Sequence, residues 1–276
     1  MRKRAAVAAI VLATGLTAHA RAFERSTVEG DPSRALFWRY RTVVVRPAYD
    51  TSDDVPAESV RVALARAIAT WNLAAEPCSD FRLEDRGYPT GFATNMTGGP
   101  HDGENRIVFR EDGWPEDMPF GTLAVTTVVY RRLSGELLDA DIDLNAVEHT
   151  WTDTDDPARA QTDVQNTLTH ELGHLLGLAH ATDTDATMYA ESAPGDLDKR
   201  TLAQDDIDGL CFVYPDGLLS PGAPPLSSPS LTGCAAGRGP SAPVSASLVA
   251  LACVIARRRR AARRAARRDE TACAST

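Results

Sequence analysis

Three histidines, His170, His174 and His180, lie close together in the sequence, and Glu171 directly follows the first of them. On a helix, residues four apart lie one above the other on the same face, so His170 and His174 can reach one metal ion. Imidazole nitrogens bind zinc at about 2.0–2.1 Å. Glu171 points away from that face, so it can hydrogen-bond a water at the metal without becoming a ligand. The spacing predicts a zinc site.

Gly177 is expected to end this helix, because glycine readily adopts the left-handed conformation found at helix C-termini. The chain can then turn back and bring His180 to the metal as a third ligand. Three protein ligands leave one position for water, as in catalytic zinc sites. The alternative is a chance match on a leucine-rich core helix, since short motifs produce false positives.

The sequence after these histidines resembles the metzincin metalloproteases. Met188 follows within Ala186-Thr187-Met188-Tyr189, and residues 201–210 read Thr-Leu-Ala-Gln-Asp-Asp-Ile-Asp-Gly-Leu. Within the metzincins this combination is similar to the matrixins, over about residues 36–215. The resemblance implies that Met188 packs beneath the zinc-binding histidines without binding metal. It also implies an α+β catalytic domain with a twisted mixed sheet of about five strands and three helices.

The resemblance implies an endopeptidase that hydrolyses peptide or protein substrates with a zinc-activated water. Glu171 is then the general base, which takes the proton of the water and passes it to the leaving amine. One rival is an inactive metzincin-like surface binding protein, which the intact Glu171 disfavours. The other is a zinc peptidase restricted to short peptides, which only a cleavage profile separates from an endopeptidase.

A substrate-binding edge is expected at Gly121, Thr122, Leu123 and Ala124, which resemble the matrixin strand that pairs with the substrate backbone. Main-chain hydrogen bonds to such an edge give affinity, and side-chain pockets give specificity. The alternative is an ordinary sheet edge. By the same resemblance, residues 190–200 form a wall of the pocket beyond the scissile bond.

A second, structural zinc is not expected, although matrixins often carry one. Val125 and Asp141 stand where the matching histidines would be. His101 and His149 are isolated in the sequence, and we expect them in exposed loops. One catalytic zinc is therefore predicted.

The segment Leu137–Asn145 alternates between apolar and polar residues, which predicts a half-buried strand. One face carries Asp139, Asp141, Asp143 and Asn145. We expect this face to be solvated; the alternative is a calcium site, but not of EF-hand type, because glycine and glutamate are missing at the required positions.

Other elements follow from periodicity and caps. Residues 35–47 contain a β-branched run and predict a strand, residues 56–75 predict an amphipathic helix capped by Asp53 or Asp54, and residues 106–109 and 123–130 predict strands. The helix that carries the histidines should begin near Asp163, and a last helix should cover residues 204–213.

Four segments are expected along the chain. Residues 1–22 read as a secretory signal peptide, with Arg2-Lys3-Arg4 followed by an apolar run and small residues. A metallopeptidase domain follows at 23–216, and a linker rich in proline, serine and glycine at 217–232. Residues 233–276 form a C-terminal tail, so the protein is expected at the cell surface or outside the cell.

The tail contains Cys234, a short apolar run at 244–256 and an arginine cluster from Arg257. This order resembles the C-terminal sorting tag of myxobacterial surface proteins. The resemblance implies that the tail holds the protein at the membrane until cleavage near Cys234. The alternatives are a plain stop-transfer anchor, although the apolar run is short for one, and a disordered basic tail.

The charge of the chain limits the classes of molecule that it can bind. Residues 23–232 carry 16 Lys+Arg against 36 Asp+Glu, a balance of −20. This excludes phosphate-mediated binding of nucleic acid, which needs clustered cations. We also expect a monomer.

Cys78 and Cys211 lie between the predicted signal peptide and the linker, and export favours disulfides. We predict that they pair; the alternative is two separate buried thiols.

Overall fold

The structure is a computed structural model that describes residues 23–224 and 271–275. The predicted signal peptide, the predicted cleavage region around Cys234 and most of the predicted sorting tag lie outside the described residues. Within the described ranges, no helix is both long enough and apolar enough to cross a membrane.

The described elements comprise strands, α-helices and short 3₁₀ turns. In chain order the strands are β1 (Glu24–Arg25), β2 (Thr27–Val28), β3 (Asp31–Ala35), β4 (Thr42–Pro47), β5 (Arg82–Asp85), β6 (Asn105–Arg110), β7 (Ala124–Arg131), β8 (Leu137–Asn145), β9 (Trp151–Thr152), β10 (Thr162–Asp163), β11 (Leu178–Ala179) and β12 (Thr271–Ser275). The helices are α1 (Ala57–Ala75), α2 (Val164–Leu175) and α3 (Gln204–Val213), with 3₁₀ turns at Asn95–Thr97 and Asp198–Arg200.

The main sheet has the order β12-β7-β8-β6-β4-β5. The β4–β5, β4–β6 and β6–β8 pairs are parallel, and β7 pairs with β8 in the antiparallel direction. Five of these strands lie between residues 42 and 145, and the sixth, β12, comes from the C-terminal tail. The fold is the predicted α+β arrangement, a mixed sheet with three helices.

Strand β4 and helix α1 form much of the core. Val43 and Val45 are buried at alternate positions of the strand, as its β-branched run indicated. On α1 the buried side chains recur at helical spacing and include Leu64 and Trp71. The proposed aspartate cap of this helix is wrong: the N-cap is Pro56, with no side-chain cap bond. The Asp54 carboxylate instead accepts a hydrogen bond from the backbone of Trp151.

The acidic face of β8 is buried, which overturns the expected solvated face. Asp139, Asp141, Asp143 and Asn145 are all no more than 1% exposed. The preceding segment, residues 90–104, covers the three aspartates, whose carboxylates accept hydrogen bonds from Thr94, Asn95 and Gly103. Asn145 instead bonds the carbonyls of Thr122 and Leu123. Alternation predicts that two faces of a strand differ in polarity; it does not predict which segment covers each face.

Backbone amides and arginines replace solvent as partners of these carboxylates. Asp141 accepts hydrogen bonds from the amides of Asn95 (2.8 Å) and Arg106 (2.7 Å). Asp143 accepts from the Arg110 guanidinium at 2.5 Å. Burial raises the pKa of Asp141 to about 7, against the opposing effect of its two amide donors. The covering segment is therefore fastened by buried polar bonds.

Two long-range links complete the fold. Cys78, just after α1, and Cys211, on α3, form a disulfide with a sequence separation of 133 residues. In the C-terminal tail, β12 pairs with Thr127–Arg131 of β7 in the antiparallel direction. That pairing leaves the beginning of β7, next to the histidines, outside the β12 register.

Candidate metal centre and substrate cleft

Helix α2 carries the first two histidines and begins where the sequence indicated. Asp163 is its N-cap, and its carboxylate accepts a hydrogen bond from the Asn166 amide at 2.8 Å. The same carboxylate forms an ion pair with Arg200 at 2.6 Å. Because every residue of α2 is buried, His170 and His174 are held on a helix that packs on all sides.

Gly177 ends the helix region with a φ of +89°. A Cβ at this position would lie 3.0 Å from the Leu36 carbonyl oxygen, so both the backbone conformation and the close approach favour glycine. The chain then forms β11, which pairs with β1. This turn brings His180 back to the helix.

The three imidazoles converge through their Nε2 atoms. The Nε2 atom of His174 lies 3.1 Å from that of His170 and 3.1 Å from that of His180. Within residues 23–224 and 271–275, these histidines are the only group of three or more potential ligand side chains with metal-binding spacing.

Backbone carbonyls fix the ring orientation of two histidines. His170 Nδ1 donates to the Thr187 carbonyl at 2.6 Å, and His174 Nδ1 donates to the Leu178 carbonyl at 2.9 Å. With the proton on Nδ1, the Nε2 lone pair faces the shared centre. Burial lowers the pKa of His174 to about 3 and that of His170 well below its usual value. Neutral, converging imidazoles fit a zinc ion.

Glu171 lies next to this centre and is 5% exposed. Its Oε2 atom accepts a hydrogen bond from Thr126 Oγ1 at 2.6 Å. Burial raises the pKa of Glu171 to about 7. The sequence did not single out Thr126, because a threonine in a strand indicates only the strand; its contact depends on how β7 packs against α2.

Met188 packs directly against the helix beneath the histidines. A Cβ at Gly173 would lie 2.2 Å from the Met188 sulfur and 3.0 Å from the Trp71 ring. Gly173 therefore allows the turn at residues 186–189, here called the methionine turn, to approach α2 closely. The structure shows this contact with α2, and the role of Met188 beneath a bound zinc stays a prediction.

Asp206 fastens the methionine turn to α3. Its two carboxylate oxygens accept hydrogen bonds from the amides of Thr187 (2.8 Å) and Met188 (3.0 Å). The Thr187 carbonyl in turn accepts from His170 Nδ1. The sequence predicted the helix that carries Asp206 but not these contacts. The buried carboxylate positions the backbone that orients a histidine.

Asp206→Asn is expected to weaken zinc binding by about 10–100-fold, the usual loss for residues that orient metal ligands. The asparagine side chain offers one acceptor oxygen, whereas the two carboxylate oxygens now accept from three backbone N–H groups, those of Thr187, Met188 and Ala203. Zinc affinity measured by competition with a chromophoric chelator checks the prediction. Asp208→Asn is the matched control, because Asp208 is exposed on the same helix and, among the described residues, its side chain bonds only Gln204. An equal loss of zinc affinity in both variants contradicts the role of Asp206.

A cavity of about 700 Å³ opens beside the histidines. It is lined by Gly121, Thr122, Leu123 and Ala124 on one side and by α2 and residues 190–192 on the other. β7 begins only at Ala124, and Asn145 engages the carbonyls of Thr122 and Leu123 at 2.9 Å each. The four predicted substrate-binding residues therefore border the cleft.

The other two described histidines, His101 and His149, lie apart from the centre. His101 is exposed, and its Nδ1 lies 2.8 Å from the Asn95 side-chain oxygen. The expectation of an exposed His149 is wrong: its ring is half-buried, and Nε2 has no partner among the described residues. Val125 and Asp141 stand where the histidines of a second zinc would be. Val125 is buried, and Asp141 bonds backbone amides.

Comparison with known proteins identifies the family of this fold. The matrixin family model matches residues 38–215. Neutrophil collagenase of Homo sapiens is 38% identical over 128 residues, 44% of this chain and 25% of the relative. Stromelysin-1 of Rattus norvegicus is 30% identical over 208 residues, which are 75% of this chain and 36% of that relative. Matrix metalloproteinase-25 of Homo sapiens is 29% identical over 190 residues, which are 66% of this chain and 29% of that relative. The chain thus spans a quarter to somewhat more than a third of these relatives.

Proposed function

Because the chain belongs to the matrixin family of zinc metalloendopeptidases, we propose that His170, His174 and His180 hold its zinc and that Glu171 is its general base. The observation that carries the proposal is the convergence of three imidazole Nε2 atoms beside a buried carboxylate. The substrate is an internal peptide bond of a protein or peptide outside the cell.

Zinc, when bound, lowers the pKa of a bound water to about 7 and polarises the substrate carbonyl. The remaining chemistry belongs to residues of the chain. Glu171 takes the proton of the attacking water and delivers it to the leaving nitrogen. The Thr126 hydroxyl bonds one carboxylate oxygen of Glu171, so the other oxygen is left for the proton transfer.

The backbone between Gly121 and Ala124 borders the cleft and presents the substrate-pairing edge. An extended peptide bound there forms main-chain hydrogen bonds with this edge and directs alternate side chains into the cavity. The buried α2 keeps the histidines fixed during this binding, which reduces the loss of conformational entropy.

Export and surface attachment follow from the terminal segments. The basic start and apolar run of residues 1–22 support secretion. The order of Cys234, apolar run and arginine cluster supports retention at the membrane through the tail, followed by cleavage near Cys234. Unchanged localisation of Cys234→Ala, together with an intact arginine cluster on the surface form, would contradict this processing.

The function is tested by incubating the purified protein with a mixed peptide library, with and without a zinc chelator. We expect cleavage at internal bonds, complete loss with chelator, and recovery when zinc is restored. Cleavage confined to chain ends or very short peptides would support the restricted-peptidase alternative. Zinc binding without any cleavage would support the inactive binding protein.

A further inference from the structure

We propose that Lys199 makes the cleft selective for a carboxylate next to the scissile bond, supplied by an aspartate or glutamate side chain of the substrate. The inference rests on the proposed peptidase function and adds its substrate class. It starts from a cation in the cleft wall that the catalytic mechanism does not use.

Lys199 lies in the short 3₁₀ turn Asp198–Arg200 and lines the same cavity as Glu171 and the three histidines. Its side chain is only 7% exposed. It is one of two lysines in the whole sequence; the other is Lys3. A lysine at this degree of burial is unusual unless a partner accompanies it.

The ammonium group has an incomplete set of partners within the described residues. Nζ donates to the Tyr189 carbonyl oxygen. An ammonium has three N–H donors. Among the described residues, no carboxylate oxygen lies within 4.0 Å of Lys199 Nζ, the limit for an ion pair. Asp196, Glu171 and Asp206 act on Lys199 only through longer-range attraction. Burial of a charge without such a pair is unfavourable.

The backbone around Lys199 is held firmly, so the ammonium is positioned before substrate binds. The Lys199 amide donates to the Asn166 side-chain oxygen at 2.8 Å. The next residue, Arg200, forms the ion pair with Asp163 at the start of α2. Both links tie the backbone of the turn to the helix that carries the histidines, and the bond to the Tyr189 carbonyl holds the ammonium itself at the cleft wall.

A carboxylate is the substrate group that satisfies this site. It accepts charge-assisted hydrogen bonds from the remaining N–H groups. An apolar side chain would leave the ammonium desolvated and unpaired, and a cationic side chain would be repelled. The other cleft carboxylates do not replace it: Glu171 is bonded to Thr126, and Glu191 is exposed, where solvent and salt screen its charge.

A chain-terminal carboxylate would present the same chemistry as an acidic side chain. Peptides with amidated C-termini offer only the side-chain carboxylate, and free-acid peptides without acidic residues offer only the terminal one. Cleavage of the two sets therefore distinguishes the sources. We expect the amidated set with glutamate next to the cleaved bond to be preferred.

The test measures kcat/KM for amidated peptides that differ only in having Glu, Gln or Lys at either position flanking the cleaved bond. Wild-type protein should favour Glu over Gln by about 10–100-fold, as expected for a hydrogen bond to a charged group. Lys199→Met should abolish the preference, Lys199→Arg should keep most of it, and Lys199→Glu should favour the Lys peptide. Arg132→Met, which removes an exposed cation away from the cavity, should leave the preference unchanged.

Binding measurements separate this proposal from the peptidase function. In a Glu171→Gln background, fluorescence anisotropy of the same peptides should show the Glu preference and its loss with Lys199→Met, whether or not the wild type cleaves them. A wild-type protein that cleaves and binds Glu and Gln peptides equally overturns the proposal. So does a Glu preference that survives in folded Lys199→Met protein. If Lys199→Met does not fold, the wild-type comparison of Glu and Gln peptides still decides whether the preference exists.

Discussion

Glu171→Gln is expected to lower peptidase turnover by about 10²–10⁴-fold, the usual contribution of general base catalysis. The substitution keeps the shape of the side chain and an oxygen for the Thr126 hydroxyl, but removes the group that accepts the proton. Zinc content and melting temperature should stay near wild-type values, because Glu171 is not one of the three converging ligands.

Peptide hydrolysis at substrate saturation, with metal analysis of the same samples, checks this result. The matched control is Thr126→Val, which removes only the hydroxyl bonded to Oε2 and should reduce turnover far less. If Glu171→Gln retains more than about a tenth of wild-type turnover with its zinc in place, another group is the base.

Removal of the disulfide is expected to have the largest effect on stability. Replacement of Cys78 and Cys211 by alanine should lower the free energy of unfolding by about 2–5 kcal/mol, the usual cost of losing a native disulfide. The bond closes a loop of 133 residues, which in the unfolded chain loses much entropy when it is linked. It also connects the end of α1 to α3, the helix that carries Asp206.

Denaturant unfolding of the oxidised wild type, the reduced wild type and the double variant checks the prediction. Reduced wild type and the variant should unfold at similar denaturant concentrations, both below the oxidised protein. Equal stability of all three, or two thiols that react with an alkylating reagent in the native oxidised protein, would contradict a stabilising bond.

The fold followed from local patterns to the extent that each element has its own period. The strand alternation of Leu137–Asn145 and the helical spacing on α1 correspond to β8 and α1. Short elements without a period, such as β5 and the strands between residues 24 and 35, gave no signal. The predicted N-cap of α1 is wrong because the Asp54 carboxylate accepts a hydrogen bond from the distant backbone amide of Trp151, which no local pattern reveals.

The candidate site divides in the same way. The spacing of His170, His174 and His180 is a local property of a helix and the turn after it, so the sequence indicates the cluster. The roles of Thr126, Asp206 and Lys199 depend on contacts between segments far apart in the chain. The burial of the β8 acids likewise depends on a covering segment that has no periodicity of its own.

The burial of Lys199 has a practical consequence for limited proteolysis. A lysine-specific protease has a single target after residue 3, the bond that follows Lys199. Because that side chain is 7% exposed and its turn is bonded to α2, cutting requires local opening of the cleft wall. In the inactive Glu171→Gln background, the rate of this one cut measures how often the wall opens. The two fragments stay joined through Cys78 and Cys211, so they separate on a gel only after reduction.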